Sequence, residues 1–71
     1  MFKTYHFEFP LNIGGLYQSA EFKSIEECVE RCKLACEVYN VDYNSDEVKL
    51  FLTEDFGETY EECTEEGELA S

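Results

Sequence analysis

A single segment of this chain has clear helical periodicity, and it limits the folds that the chain can adopt. In SIEECVERCKLACEVY, apolar and cysteine residues recur at intervals of three and four from Ile25 to Tyr39, so they form one stripe along a helix. Ser24 and Glu27 have the spacing of a capping box, which predicts that the helix begins directly after Ser24. A helix with one apolar stripe must bury that stripe against a second layer of structure.

The segments that flank the helix alternate apolar and polar side chains, as strands with one buried face do. Two of them precede the helix, FKTYHFEFPL and LYQSAEFK, with turn residues between them, and EVKLFLTEDF follows it. The prediction is a two-layer α+β fold of order β-β-α-β, with one helix on a three-stranded antiparallel sheet. We expect residues 1–56 to form one compact domain and residues 57–71 to be an acidic tail, because the periodicity disappears there.

The same alternation assigns side chains to the two faces of the predicted sheet. The face toward the helix is expected to contain these residues: Tyr5, Phe7, Phe9, Leu16, Phe22, Leu50, Leu52 and Phe56. The outer face is expected to carry Phe2, His6, Tyr17 and Phe51. Such an aromatic face is suited to a homodimer contact, to cover by the tail through Tyr60 and Leu69, or to a different protein.

Cys28, Cys32 and Cys36 lie on the apolar stripe, where they are candidates for a metal site, a redox site or a buried seam. Cys28 and Cys36 are about 12 Å apart along a straight helix, whereas two thiolates on one zinc ion are at most about 4.6 Å apart. Neighbouring thiols one turn apart are also too distant for an easy disulfide. We therefore interpret them as core residues and predict no metal and no cofactor. Zinc held by one pair with Cys63, and redox chemistry, stay open as alternatives.

Motifs of enzymes and calcium sites are incomplete. Asp42, Asn44 and Asp46 match the first positions of an EF-hand loop, but Glu47 replaces its glycine and Thr53 its final glutamate. We predict an ordinary helix-to-strand connection there. The serines have no glycine elbow, the chain has one histidine, and the Gly14–Gly15 pair is typical of a turn, so we predict no enzymatic activity.

Charge restricts the possible partners. Seventeen acids face five bases, which gives a net charge of -12, and residues 54–71 contain eight acids and no base. Nucleic acids and anionic membranes are bound through cationic side chains, so we expect neither as a partner and expect a basic protein instead. The N-terminal segment lacks the apolar run of a signal peptide, which predicts a cytoplasmic location with reduced thiols.

The strand that runs into a capped helix in SAEFKSIEECVERCKLA, followed by EVKLFLTE, is similar in layout to small phage inhibitors of bacterial RNA polymerase. The charge is similar to that of anti-CRISPR proteins, several of which mimic nucleic acid. The chain thus resembles phage-encoded inhibitors of nucleic-acid-handling machines. The resemblance implies a non-enzymatic inhibitor that blocks a cationic site on a CRISPR effector, polymerase or similar protein in the host cytoplasm.

An alternative likeness is to the antitoxin half of a bacterial toxin–antitoxin pair, which implies a self-associating regulatory module. In that case, deleting residues 57–71 should have no effect. For the inhibitor, we expect Tyr17 and Phe51 to anchor the partner by desolvated aromatic contacts. We expect the charged part of the interface to be an acidic strip, formed by Glu54, Asp55, Glu58, Glu61 and Glu62.

Overall fold

The computed structural model describes residues 2–70, which form one helix and one four-stranded sheet. The elements in chain order are β1 (Thr4–Pro10), β2 (Leu16–Gln18), α1 (Ile25–Val38), β3 (Lys49–Thr53) and β4 (Glu61–Cys63). The strands lie in the order β2-β1-β3-β4, and each pairs antiparallel with its neighbour. The predicted α+β class is confirmed, whereas the predicted strand count of three is wrong. No helix in this range is long and apolar enough to cross a membrane.

The fourth strand comes from the segment that the sequence predicts to be a tail. β4 pairs with β3, so that Leu50 lies opposite Cys63 and Phe51 lies opposite Glu62. The chain then turns through Gly67 and returns, and Leu69 forms an isolated bridge with Cys63. A strand of three residues that includes two glutamates is too short and too polar to show alternation in the sequence. The returning residues cover the outer edge of β4, which limits pairing with other chains.

Both ends of α1 agree with the sequence. The Ser24 hydroxyl accepts a hydrogen bond from the Glu27 backbone N–H at 3.1 Å, so the predicted cap is confirmed. At the other end Asn40 adopts a left-handed conformation, with φ of 58°. The Val41 N–H donates to the Cys36 carbonyl at 2.8 Å, which is the hydrogen bond that defines a Schellman motif.

The core lies between α1 and one face of the sheet. Cys28, Cys32 and Cys36 are fully buried in it, and Phe7 and Phe9 of β1 belong to the same cluster. All four cysteines are free thiols, including the buried Cys63 of β4. Burial raises the pKa of Cys28 to about 12, with smaller contributions from Cys63 and Glu21. Within residues 2–70, no group of three or more histidine, cysteine or acidic side chains is arranged to hold a metal ion.

A β-bulge separates β2 from the helix and changes which side chains face the core. Glu8 lies opposite Gln18, but Tyr5 lies opposite Phe22, so Ala20 and Glu21 together lie opposite His6. One extra residue reverses the alternation of side chains between the two faces.

The expected faces of Tyr17 and Leu16 are therefore wrong. Tyr17 lies opposite Phe9 on the core face, and its ring stacks on Phe7 and Phe9 with centroids 5.8 and 5.3 Å apart. Leu16 is exposed.

Candidate functional site

The connection between β3 and β4, residues 54–60, is a tightly hydrogen-bonded loop that we call the acidic loop. The Asp55 carboxylate accepts hydrogen bonds from the Thr59 hydroxyl at 2.6 Å and the Thr59 N–H at 2.9 Å. The Thr53 hydroxyl donates to the same carboxylate at 2.8 Å and accepts from the Gly57 N–H. These hydrogen bonds lower the pKa of Asp55 to about 2; those from Thr59 contribute most, and that from Thr53 contributes less. Asp55 therefore holds the loop together, a role that the predicted acidic strip did not include.

Phe56 sits in this loop with its side chain 88 % exposed. Its φ is 60°, in the left-handed region that a bulky side chain rarely occupies. The prediction that Phe56 continues β3 toward the core is wrong, because the chain leaves the sheet after Thr53. Backbone strain of this kind costs stability and is found mainly at functional positions. The loop thus presents an aromatic ring to solvent at an energetic cost to the fold.

Exposed carboxylates precede and follow this ring in the sequence, from the acidic loop through β4 to the last turn. We call the exposed set the acidic edge; it comprises Glu54, Glu58, Glu61, Glu62, Glu65, Glu66 and Glu68. Glu61 and Glu62 project from opposite sides of β4, because successive residues of a strand alternate. The predicted acidic strip is therefore not a single row of side chains. Both ion-pair contacts within residues 2–70 involve His6, so the acidic edge makes none with lysine or arginine.

The acidic edge is fixed to the body of the domain. The Tyr43 hydroxyl donates a hydrogen bond to the Glu65 carboxylate, and Lys33 of α1 lies 5.3 Å from the centre of the Tyr43 ring. Burial, and then the bond to Glu65, raise the pKa of Tyr43. A Cβ atom at Gly67 would lie 3.4 Å from Ile25 side-chain atoms, which shows how closely the last turn approaches the start of α1. These contacts hold the carboxylates on a folded surface rather than on a tail.

Tyr60 partly covers the sheet face away from the helix, as one of the alternatives expects, whereas Leu69, the other residue expected to cover it, pairs with Cys63 beyond β4. His6 is 2 % exposed; its ring stacks on Phe51 with centroids 5.2 Å apart and meets the edge of Tyr60 at 4.7 Å. The Tyr60 hydroxyl donates to Glu21 at 3.0 Å. Beside this cluster lies an open depression of about 180 Å³, lined by His6, Glu8, Gln18, Phe51 and Tyr60.

The structure thus brings some predicted site residues together and separates others. Of the two predicted aromatic anchors, Phe51 lies on the open face and packs on His6, while Tyr17 is on the core face and packs against Tyr39 at 5.2 Å. Sequence reasoning missed Phe56, although the turn-forming residues around it, TEDFGET, are a signal that the strand ends early. The bulge that places Glu21 beside His6 has no comparable signal.

Chemically, the acidic loop, the acidic edge and the open sheet face offer fixed negative charge, one exposed strained aromatic ring and a depression with aromatic and carboxylate walls. These are the properties of a binding surface for cationic groups. The chain matches no protein-family model, and no curated protein or solved structure is significantly similar to it.

Proposed function

We propose that this protein is a non-enzymatic inhibitor that binds a basic, nucleic-acid-handling protein and occupies the cationic site where that protein holds nucleic acid. The observation that carries the proposal is the acidic loop, in which a strained Phe56 is displayed among carboxylates that have no lysine or arginine partner within residues 2–70. The resemblance to phage-encoded, anti-CRISPR-like inhibitors of bacterial proteins supports the same proposal.

The carboxylates and the aromatic ring have different tasks in this mechanism. A fixed array of negative charge speeds encounter with a basic surface and orients the chain on it. Affinity comes from aromatic side chains that lose their water on binding. Phe56 is the most exposed ring of the acidic loop and takes the anchoring role expected for Tyr17, while Phe51 keeps its expected role on the open face.

Carboxylates fixed on a folded sheet edge bind a partner more tightly than the same carboxylates on a disordered tail, and tight binding favours inhibition. A disordered acidic tail loses conformational freedom when it binds, which reduces its affinity. Here β4 and the returning residues 68–70 already hold the backbone, since the Ala70 N–H donates to the Glu62 carbonyl at 3.1 Å. The cost of ordering these carboxylates is thus met by folding, before the partner is encountered.

The test is capture of binding proteins from bacterial lysate at two salt concentrations, followed by competition with nucleic acid. We expect the captured protein to be basic, to dissociate between about 50 and 500 mM salt, and to lose its nucleic acid when this chain is added. The test variant replaces four residues of the acidic edge by glutamine: Glu54, Glu58, Glu61 and Glu62. The matched control makes the same change at four exposed residues elsewhere: Glu26, Glu30, Glu37 and Glu47.

The two variants have the same net charge, so they separate the effect of position from the effect of total charge. We expect the first to lose capture and the control to keep most of it. Equal loss in both variants would show that no particular surface is used. A captured protein that binds this chain and its nucleic acid together would contradict inhibition by occupation of the cationic site.

A second candidate function, self-association as in an antitoxin-like module, is favoured by exposed apolar residues at the other end of the molecule. Ile13 is 94 % exposed in the turn between β1 and β2, and Val38 is exposed at the end of α1. The two segments are neighbours, because the Asn12 side-chain amide reaches the Asn40 carbonyl at 3.5 Å. Sedimentation equilibrium tests this function: a dimer that dissociates when Ile13 is changed to serine supports it, and a monomer at all concentrations contradicts it.

A further inference from the structure

The depression on the open sheet face contains a buried histidine whose hydrogen bonds are incomplete. The His6 Nδ1 atom has no hydrogen-bond partner within residues 2–70, although it lies 3.2 Å from Glu21 Oε2. The Nε2 atom lies 3.7 Å from Glu8 Oε2, which is too long for a hydrogen bond. The imidazole is therefore placed between two carboxylates without being well bonded to either. A buried polar ring in this state needs an explanation.

The missing component is a hydrogen-bond donor. A neutral imidazole has one N–H and one lone pair, so in either tautomer one ring nitrogen presents its lone pair toward a carboxylate. The Glu21 carboxylate already accepts bonds from the Thr4 hydroxyl at 2.8 Å and the Tyr60 hydroxyl at 3.0 Å. Glu8 and Gln18, on the side of the depression, add further acceptors. Glu21 does not line the depression, whereas Glu8 and the Nε2 edge of the imidazole that faces it do. A ligand in the depression that brings several N–H groups would satisfy the acceptors of Glu8, Gln18 and Nε2 together.

The walls of the depression favour a flat cation. Phe51 and Tyr60 supply aromatic surface beside His6, and cations, above all guanidinium groups, are attracted to aromatic faces. A volume of about 180 Å³ suits one side chain, since pockets for drug-sized ligands are larger. We propose that this depression binds the guanidinium group of an arginine side chain, which donates hydrogen bonds to Glu8 and the His6 imidazole and stacks on Phe51.

This inference deepens the proposed function, because it names the side chain by which a basic partner is held on the open face.

The probe is N-acetyl-arginine N-methylamide, followed by two-dimensional NMR, with the citrulline analogue as an uncharged control of the same shape. We expect the largest chemical-shift changes at His6, Phe51 and Tyr60, and no comparable changes with the citrulline analogue. Loss of a charged hydrogen-bond partner in Glu8→Gln should weaken binding by about fivefold or more. Glu30→Gln, on the exposed side of α1, is the control and should bind as the unaltered chain does.

Equal shifts with the citrulline analogue, shifts confined to the acidic edge, or unchanged binding by a folded Glu8→Gln variant would each overturn the inference. If the probe leaves His6 unaffected while the chain still captures a basic protein, the inference fails and the proposed function stands. If the probe binds in the depression but no basic protein is captured, the proposed function fails and the arginine site stands.

Discussion

Replacing Phe56 tests whether the acidic loop maintains a strained residue for binding rather than for stability. Two substitutions separate the effects, because Phe56→Ala removes the ring but keeps a Cβ atom, whereas Phe56→Gly removes both. The backbone at this position has φ of 60°, which glycine adopts without strain. We expect Phe56→Gly to be the more stable of the two variants, and both to lose affinity for the basic partner to the same extent.

The expected difference follows from the conformation and exposure of the residue. A left-handed conformation costs a residue with a Cβ atom about 1–2 kcal/mol, and glycine avoids this cost. Glycine also has more conformational freedom in the unfolded chain, which cancels about 0.5–1 kcal/mol of the stability gained. The free energy of unfolding of Phe56→Gly should thus be roughly 0.5–1 kcal/mol higher than that of Phe56→Ala. Loss of the ring costs little, because a side chain that is 88 % exposed contributes only about 0.3 kcal/mol by burial.

Urea and thermal unfolding followed by circular dichroism measure this difference. For a domain of this size, 0.5–1 kcal/mol corresponds to a shift in the melting temperature of about 3–6 °C. If Phe56→Ala proved as stable as Phe56→Gly, the backbone would not be strained as argued. If both variants lost more than about 1 kcal/mol, Phe56 would have a structural role.

Further predictions concern the core, the loop and the last strand. Cys32→Ala should lower the free energy of unfolding by about 1 kcal/mol or slightly more, because it leaves a small void. Cys32→Leu should lower it further by overpacking, and chemical denaturation measures both changes. A Cys32→Ala variant that stayed folded but lost partner binding would contradict the interpretation of the helix as a core element. Asp55 has a pKa of about 2 against an ordinary 3.8, so its contribution to stability is complete above about pH 4 and is lost as the pH falls toward 2. When stability is measured against pH, Asp55→Asn should not show this loss between about pH 4 and pH 2. The same acid dependence in both proteins would contradict the role given to this carboxylate. Deleting residues 57–71 removes β4, including the buried Cys63, and exposes the core that β4 covers, so we expect loss of cooperative unfolding. A truncated chain of full stability would support the interpretation of these residues as a tail. The buried thiol of Cys28 has its pKa raised to about 12, so alkylation at pH 8 should be slow until urea unfolds the chain, and rapid labelling of the native protein would refute the burial.

The helix was predictable from the sequence because its signals are local. Ser24 caps it, and the positions of Cys28, Cys32 and Cys36 follow from a period of 3.6 residues, so each can be identified without knowledge of the sheet. The inner face of β1, with Phe7 and Phe9, follows from alternation in the same way. Patterns that depend on a single element are thus recovered well.

Alternation fails where the pattern depends on how two elements pair. It puts Tyr17 and Phe22 on opposite faces, which holds only if no residue bulges between them. It continues β3 to Phe56, although the hydroxyl of Thr53 and the carboxylate of Asp55 form a turn before that residue. β4 has too few residues to show a period, and its place is set by pairing with β3. Alternation gives the correct face for Phe51 because β3 is regular at that position.

The bulge at Ala20 and Glu21 makes the deletion of one residue here a mild event. Ala20 is exposed, so many side chains can replace it at little cost. Removing it would leave Glu21 opposite His6 and would keep Tyr17 and Phe22 on the core face of a regular ladder with β1. In a screen of single-residue deletions, positions within the paired strands should be among the lethal ones, because a missing residue exchanges the faces of the side chains beyond it. Ala20 should be among the tolerated positions, although nothing about its side chain indicates it.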